Sequence, residues 1–202
     1  MQLDPEELDP RKRSSLMLST ILPRPIALVS TKGRDGSLNL APFSFFTGIC
    51  ADPMAICFAP GNRRDGQKKH TLKNIEETNQ FVINLVTEEL AHKMNQTSGD
   101  YPYGVSEFDK AELTPAPSVK IIPPMVLESP VNLECELLKI VTIGTGPHGG
   151  NLVIGKVVHI HILDSLRKEG RIDHRDLKPI SRMEGDWYHK TTDGFEMARP
   201  RS

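Results

Sequence analysis

Short apolar runs recur between polar stretches rich in glycine and proline. The first pair is RPIALVST, Arg24 to Thr31, and NLAPFSFF, Asn39 to Phe46, separated by the polar segment KGRDGS. Glycine and aspartate in that separator suit a tight turn, so the pair predicts a β-hairpin. Its second strand is unusual, because Asn39, Pro42, Ser44, Phe45 and Phe46 are not what a plain core strand needs. Proline donates no ladder hydrogen bond, so the backbone at Pro42 must face an edge, a bulge or a ligand.

DPMAICFAP, Asp52 to Pro60, places Met54, Ile56 and Phe58 on one face and Ala55, Cys57 and Ala59 on the other, a strand buried on both sides. FVINLV, Phe81 to Val86, is a further strand by its β-branched content. In SPVNLECELLKIVTIG, Val131, Leu133, Cys135 and Leu137 alternate with Asn132, Glu134 and Glu136, and NLVIGKVVHIHILD supplies a long partner after the turn GPHGGN. Helical patterns are few and short. Thr71 is placed to cap LKNIEETNQ, and Thr87 to cap EELAHKMNQ, with Glu88 and Glu89 in a first turn that favours negative charge. From Thr97 to Pro124 no period is visible, and a loop of that length in a compact domain is usually a functional one. About six or seven strands with two or three short helices, lacking regular β-α alternation, predict a mainly β protein, an antiparallel barrel with short helical insertions.

Composition narrows the class. A chain of 202 residues with 38% hydrophobic and 25% charged residues suits one globular domain, with a core over about 20–190 and polar extensions at both ends. A net charge of -1 with both signs interspersed offers no nucleic-acid-binding stripe. The charged start MQLDPEELDPRKRSS excludes a secretory core, and no apolar run is long enough to span a bilayer, so no membrane association and a cytoplasmic location are expected. Cys50, Cys57 and Cys135 have no close pairing of the zinc or dithiol kind and are expected as small core residues.

Three constellations carry candidate chemistry. In KKHTLKN, Lys68, Lys69 and His70 precede a helix start, where ammonium groups, the Thr71 hydroxyl and outward backbone N–H groups together suit a phosphate; a solvated, capped loop is the plainer alternative. In NLAPFSFF, Asn39 and Ser44 can hydrogen-bond a planar ring with Phe45 or Phe46 beside it; alternatively, the phenylalanines are core. His159 and His161 share a strand face and suit a metal, with His148, His174 or Glu134 as possible third ligands, but spacing fixes none of these, so no metal is expected. No serine sits in a glycine-flanked hydrolase elbow, and no catalytic side chain is assigned. Asp100, Tyr101 and Tyr103 are candidates for substrate contact in the long loop, and Arg182, Trp187 and Tyr188 for closing over a ring or sealing the barrel.

With those residues in view, the chain resembles the flavin reductase-like, FMN-binding split-barrel family, near its flavoredoxin branch. The likeness runs through RPIALVST, NLAPFSFF, DPMAICF, KKHTLKNI, FVINLV, EFDKAELTPAPS, ESPVNLECEL, NLVIGKVVHIH and LKPISR, from about Arg24 to Tyr188. It implies a homodimeric, six-stranded antiparallel split barrel with FMN near the subunit interface. Asn39, Leu40, Ala41, Pro42 and Ser44 would meet the flavin with Phe45 and Phe46 beside it, and Ser30 and Thr31 would join from the adjoining strand. Lys69 and Thr71 would hold the phosphate, with His70 standing where the family commonly has aspartate. The resemblance further implies NADH or NADPH as electron donor, with the nicotinamide near Tyr101 and Tyr103 and with His148 or Arg182 at the rim. Free flavin, a partner oxygenase or another acceptor would take the electrons. An electron relay without an efficient nicotinamide site, or a non-catalytic ligand-binding barrel, is the alternative. No ribose-phosphate motif of the Rossmann kind is present.

Overall fold

The computed structural model describes residues 2–200 apart from Glu169 and Thr192. In chain order the elements are α1 (Pro10–Thr20), β1 (Arg24–Pro25), β2 (Ala27–Lys32), β3 (Leu38–Phe43), β4 (Phe46–Ala51), β5 (Met54–Phe58), α2 (His70–Thr78), β6 (Gln80–Leu85), α3 (Ala91–Gln96) and α4 (Glu107–Lys110). They continue with β7 (Pro115–Ala116), β8 (Met125–Val126), β9 (Val131–Ile143), β10 (Gly150–Ile162), β11 (Arg167–Lys168), β12 (Arg171–Ile172), α5 (His174–Leu177), β13 (Ile180–Arg182) and β14 (Tyr188–Lys190).

The main sheet is antiparallel, with seven strands in the order β3-β2-β6-β9-β10-β5-β4. Its two edge strands, β3 and β4, are joined in the chain by Ser44 and Phe45 alone. Two residues cannot bridge the width of an open sheet, so the sheet curls until its edges meet. No ladder joins those edges, and the seam between them is the split of the barrel. Seven strands agree with the six or seven read from the residues, but NLAPFSFF is not one strand: the ladder stops at Phe43, the chain bends at Ser44 and Phe45, and Phe46 opens β4.

Alternation along β2 explains why this strand reads as a continuous apolar run. Ala27 and Val29 point into the barrel with Phe43, Ile56, Phe58, Phe81 and Ile83, while Ile26 and Leu28 point outward against Val86, Leu90, Met94, Phe108 and Val126. Helix α2 sends Leu72 and Ile75 into the inner cluster, and α3 and α4 cover the outer one. Buried on both faces, the β2 backbone is a rigid platform for its neighbour β3.

Several local expectations change. Helix α2 starts at His70 with Lys69 as its N-cap, so Thr71 lies inside the first turn rather than capping it. Helix α3 begins at Ala91, not after Thr87, because Thr87 bridges Pro179 and the Glu88 N–H is spent on the Lys178 carbonyl. The 97–124 stretch holds α4 and β7. Its Val119 and Lys120 N–H groups meet Glu134 on the outer face of β9, which is why Glu134 is buried instead of facing water, and Asn132, also buried, donates to the Ser129 carbonyl. Met54 is exposed at the start of β5. Cys135 is a core residue as expected, Cys57 is half-buried and Cys50 is exposed. Trp187 is also exposed and seals nothing, whereas Tyr188 packs against the outer cluster. Among the described residues, no helix is long and apolar enough to cross a membrane.

Candidate functional site

At the seam, the free edge of β3 forms one wall of a groove. The Leu40 N–H points away from β2 and donates to Oε2 of Glu107 at 2.9 Å. Two residues on, Pro42 occupies the same outward parity and has no N–H to satisfy, the position where a strand tolerates proline. Edge donors along this wall are therefore spent or absent.

A cavity of about 200 Å³ adjoins this edge, lined by Asn39, Ala41, Pro42, Arg63, Lys69, His70, Thr71 and Thr97 to Tyr101, with Glu107 at its base. Local chemistry makes one end cationic. Lys69 caps α2 without a side-chain hydrogen bond, so the first-turn N–H groups of this nine-residue helix have no side-chain acceptor. Thr71 is buried, and its hydroxyl oxygen accepts from Asn39 Nδ2 at 2.9 Å, leaving the hydroxyl proton free to be donated. Arg63 reaches across to Asp100 at 2.9 Å and lies 3.2 Å from His70 Nε2. A guanidinium only donates, so Nε2 must accept and His70 is neutral there. Burial, reinforced by Arg63, holds its pKa below the ordinary histidine range.

A second cavity of about 270 Å³ shares Pro42, Phe43 and Ser98 with the first and continues past Ser44 to Met94, Asn95, Arg182 and Tyr188. Arg182 stacks over the Tyr188 ring at 4.5 Å and pairs with Asp186 at 3.8 Å. Beneath it, buried Arg24 donates to the carbonyls of Leu18, Ile21 and Met183 and to Ser44 Oγ at 3.3 Å, pinning the bend between β3 and β4. The two cavities form one elongated groove, cationic at one end and mixed apolar and polar at the other.

Asn39, Ala41, Pro42, Ser44, Lys69, His70, Thr71, Tyr101 and Arg182 are brought together here. Others expected are not. Ser30 donates to the Pro124 carbonyl at 2.5 Å and Thr31 accepts from Asn74 at 3.0 Å, and both are fully buried and line neither cavity of the groove. Leu40 turns its side chain into the outer core cluster, because alternation sends it opposite to Asn39 and Ala41. Phe46 packs on the inner cluster, and Phe45 lines a separate cavity with Met17 and His148. Lys68 pairs with Glu76 at 2.7 Å rather than facing the groove. Tyr103 touches the site only through His70, whose ring it meets edge-on at 5.2 Å. Arg63, Glu107 and Thr97 to Gly99 are groove residues that spacing did not single out. Arg63 lay within a basic loop whose polarity was visible, whereas nothing local in EFDK signals that Glu107 will be buried under β3.

The flavin reductase like domain profile matches residues 18–179. The chain belongs to that family. This flavin reductase-like protein is 37% identical over 202 residues to an uncharacterised protein of Halalkalibacterium halodurans, covering 99% of this chain and 97% of that one. Nitrilotriacetate monooxygenase component B from Bacillus cereus has the same fold at 34% identity, with a TM-score of 0.93 and 98% of each chain covered. The 2-nitrobenzoate 2-nitroreductase of Pseudomonas fluorescens is 30% identical, with a TM-score of 0.89, covering 99% of this chain and 96% of that one. A Shewanella frigidimarina chain assigned as a flavin reductase with a split barrel domain is 25% identical, with a TM-score of 0.82, covering 100% of this chain and 99% of that one. The split-barrel flavin reductase-like architecture read from the sequence is thereby established.

Proposed function

We propose that this protein binds FMN along the β3 edge and uses it to pass electrons from NADH or NADPH to free flavin, a partner oxygenase or another acceptor. The observation that carries the reading is the groove itself, with an anion-suited helix start at one end and a ring-sized, partly apolar slot at the other. Lys69, the Thr71 hydroxyl, Arg63 and the first-turn N–H groups of α2 would hold the phosphate. Pro42, Phe43 and Ser44 would lie along the ring, with Met94 and Arg182 opposite.

Bound FMN would supply hydride acceptance and onward electron delivery; the protein's part is to hold the ring, exclude water from one face and leave the other open. Neutral His70 would neither repel Arg63 nor compete with it for the phosphate. The nicotinamide would enter beside Tyr101 and Arg182; His148 lines a different cavity, with Met17 of α1 and Phe45, rather than this groove. The relation to a monooxygenase component supports an oxygenase as one acceptor.

A homodimer fits the surface. Strand β4 is an edge with residues 47–51 exposed, including Ile49, and an uncovered edge strand favours pairing with a second copy. The nicotinamide placement is tested by steady-state kinetics of a variant carrying Tyr101→Leu and Tyr103→Leu. A rise in KM for the nicotinamide is expected; unchanged kinetics would remove the tyrosines from that role.

A further inference from the structure

The histidine pair of β10 lies outside the groove, and the structure supplies what spacing could not, a third ligand. Pairing of β10 with β9 runs Val157 opposite Cys135 and then jumps to His159 opposite Glu134. Val158 is the extra residue of a β-bulge. Without it, His159 and His161 would keep the parity of Val157, whose side chain belongs to the barrel interior. With it, both histidines turn to the outer face beside Glu134, while Ile162 turns inward to the core cluster. Bulges that re-aim side chains are conserved design features more often than accidents.

What the bulge assembles is compact. His161 Nε2 lies 2.6 Å from Glu134 Oε1, the His159 and His161 rings meet edge-on at 4.7 Å, and one ligand atom from each of the three residues lies within 4.8 Å of the others. Glu134 is fully buried, and its carboxylate is oriented by the N–H groups of Val119 and Lys120, each at 2.7 Å. Among the described residues the His159 ring makes no side-chain hydrogen bond and meets only the His161 ring, so neither of its nitrogens is held by a protein partner.

We propose that Glu134, His159 and His161 bind one divalent transition-metal ion of the zinc class, with solvent in the fourth position. Two imidazoles and one carboxylate are a donor set suited to such ions, and the backbone donors on Glu134 are the outer contacts that orient a ligating carboxylate. Binding needs no redox change. His161 ligates as its neutral Nδ1–H tautomer: the proton on Nε2 goes to solvent from an imidazolium, or to Nδ1 by way of solvent from a neutral ring, the freed Nε2 lone pair goes to the metal, and Oε1 exchanges its histidine partner for the ion. The ion would tie β9 and β10 to the segment carrying Val119 and Lys120.

Calorimetric titration of the untagged protein with zinc chloride, with metal content measured after desalting, tests the site independently of FMN binding or electron transfer. One zinc per chain is expected, with a raised thermal midpoint. His159→Ala, a substitution at a half-buried position, should weaken binding roughly tenfold or more and abolish the thermal gain, while His148→Ala should change neither. No zinc binding by the wild type, undiminished binding by His159→Ala, or an equal loss in His148→Ala would overturn the assignment.

Discussion

At the scale of single residues, the site depends on a few polar atoms whose partners decide their roles. Thr71 accepts from Asn39 and can still donate, and Lys69 carries its ammonium at an uncapped helix start. Replacing both by Ala should weaken FMN retention, each lost charge-assisted or hydroxyl contact costing about 1–3 kcal/mol, as read by fluorescence titration of the apoprotein. Unchanged affinity would place the phosphate elsewhere. Glu107 makes a second prediction. Burial raises its pKa, so the ionised form is the costly one in the folded protein. The wild type therefore keeps its full stability below the ordinary glutamate range and loses some as pH rises through the raised folded value. Glu107→Gln keeps an acceptor for the Leu40 N–H without the charge, so its melting temperature should gain on the wild type as pH increases, and a constant difference across pH would contradict this. These residues also mark what the sequence could and could not reveal. Asn39, Pro42, Lys69 and Thr71 were legible because proline in a strand and cations before a helix are local signals. Glu107, Arg63 and the burial of Ser30 and Thr31 depend on which distant segment covers them, and no local pattern carries that.

At the scale of elements, alternation and turn chemistry located every strand of the main sheet but β4, whose residues after Phe46 no pattern singled out, while the ends of helices were decided by contacts. Thr87 was a sound cap by residue type but is held by Pro179, and α2 starts at His70, two residues before the expected LKNIEETNQ, with Thr71 inside its first turn accepting from Asn39. The polar face of β9 read as solvent-facing since period-two patterns do not say what lies on top of them. Inside the barrel, Gly155 stands where an added Cβ would lie 2.4 Å from the Phe81 ring, and Phe81 is fully buried against Phe58. Gly155→Ala must displace that ring, and overpacking of this kind costs about 1–3 kcal/mol. A lower thermal midpoint with an intact circular dichroism spectrum is the expected result; wild-type stability would mean that the ring has room the packing does not show.

For the whole molecule, the decisive feature is a seven-stranded sheet whose edges are joined by Ser44 and Phe45. Closure without a ladder leaves a seam, and the seam brings together the ring-suited edge of β3 and the anion-suited start of α2. The uncovered β4 edge gives a prediction at this scale: sedimentation should find a dimer, and Ile49→Lys should shift it toward monomer. A wild type that is monomeric at all concentrations would contradict that. The central claim is tested most directly by the visible spectrum of the purified protein, reconstituted with FMN if colourless, during anaerobic titration with NADH and then NADPH. The account predicts a bound-flavin spectrum that bleaches with one equivalent of at least one nicotinamide. A protein that takes up no FMN, or whose bound flavin neither nicotinamide reduces, would contradict it.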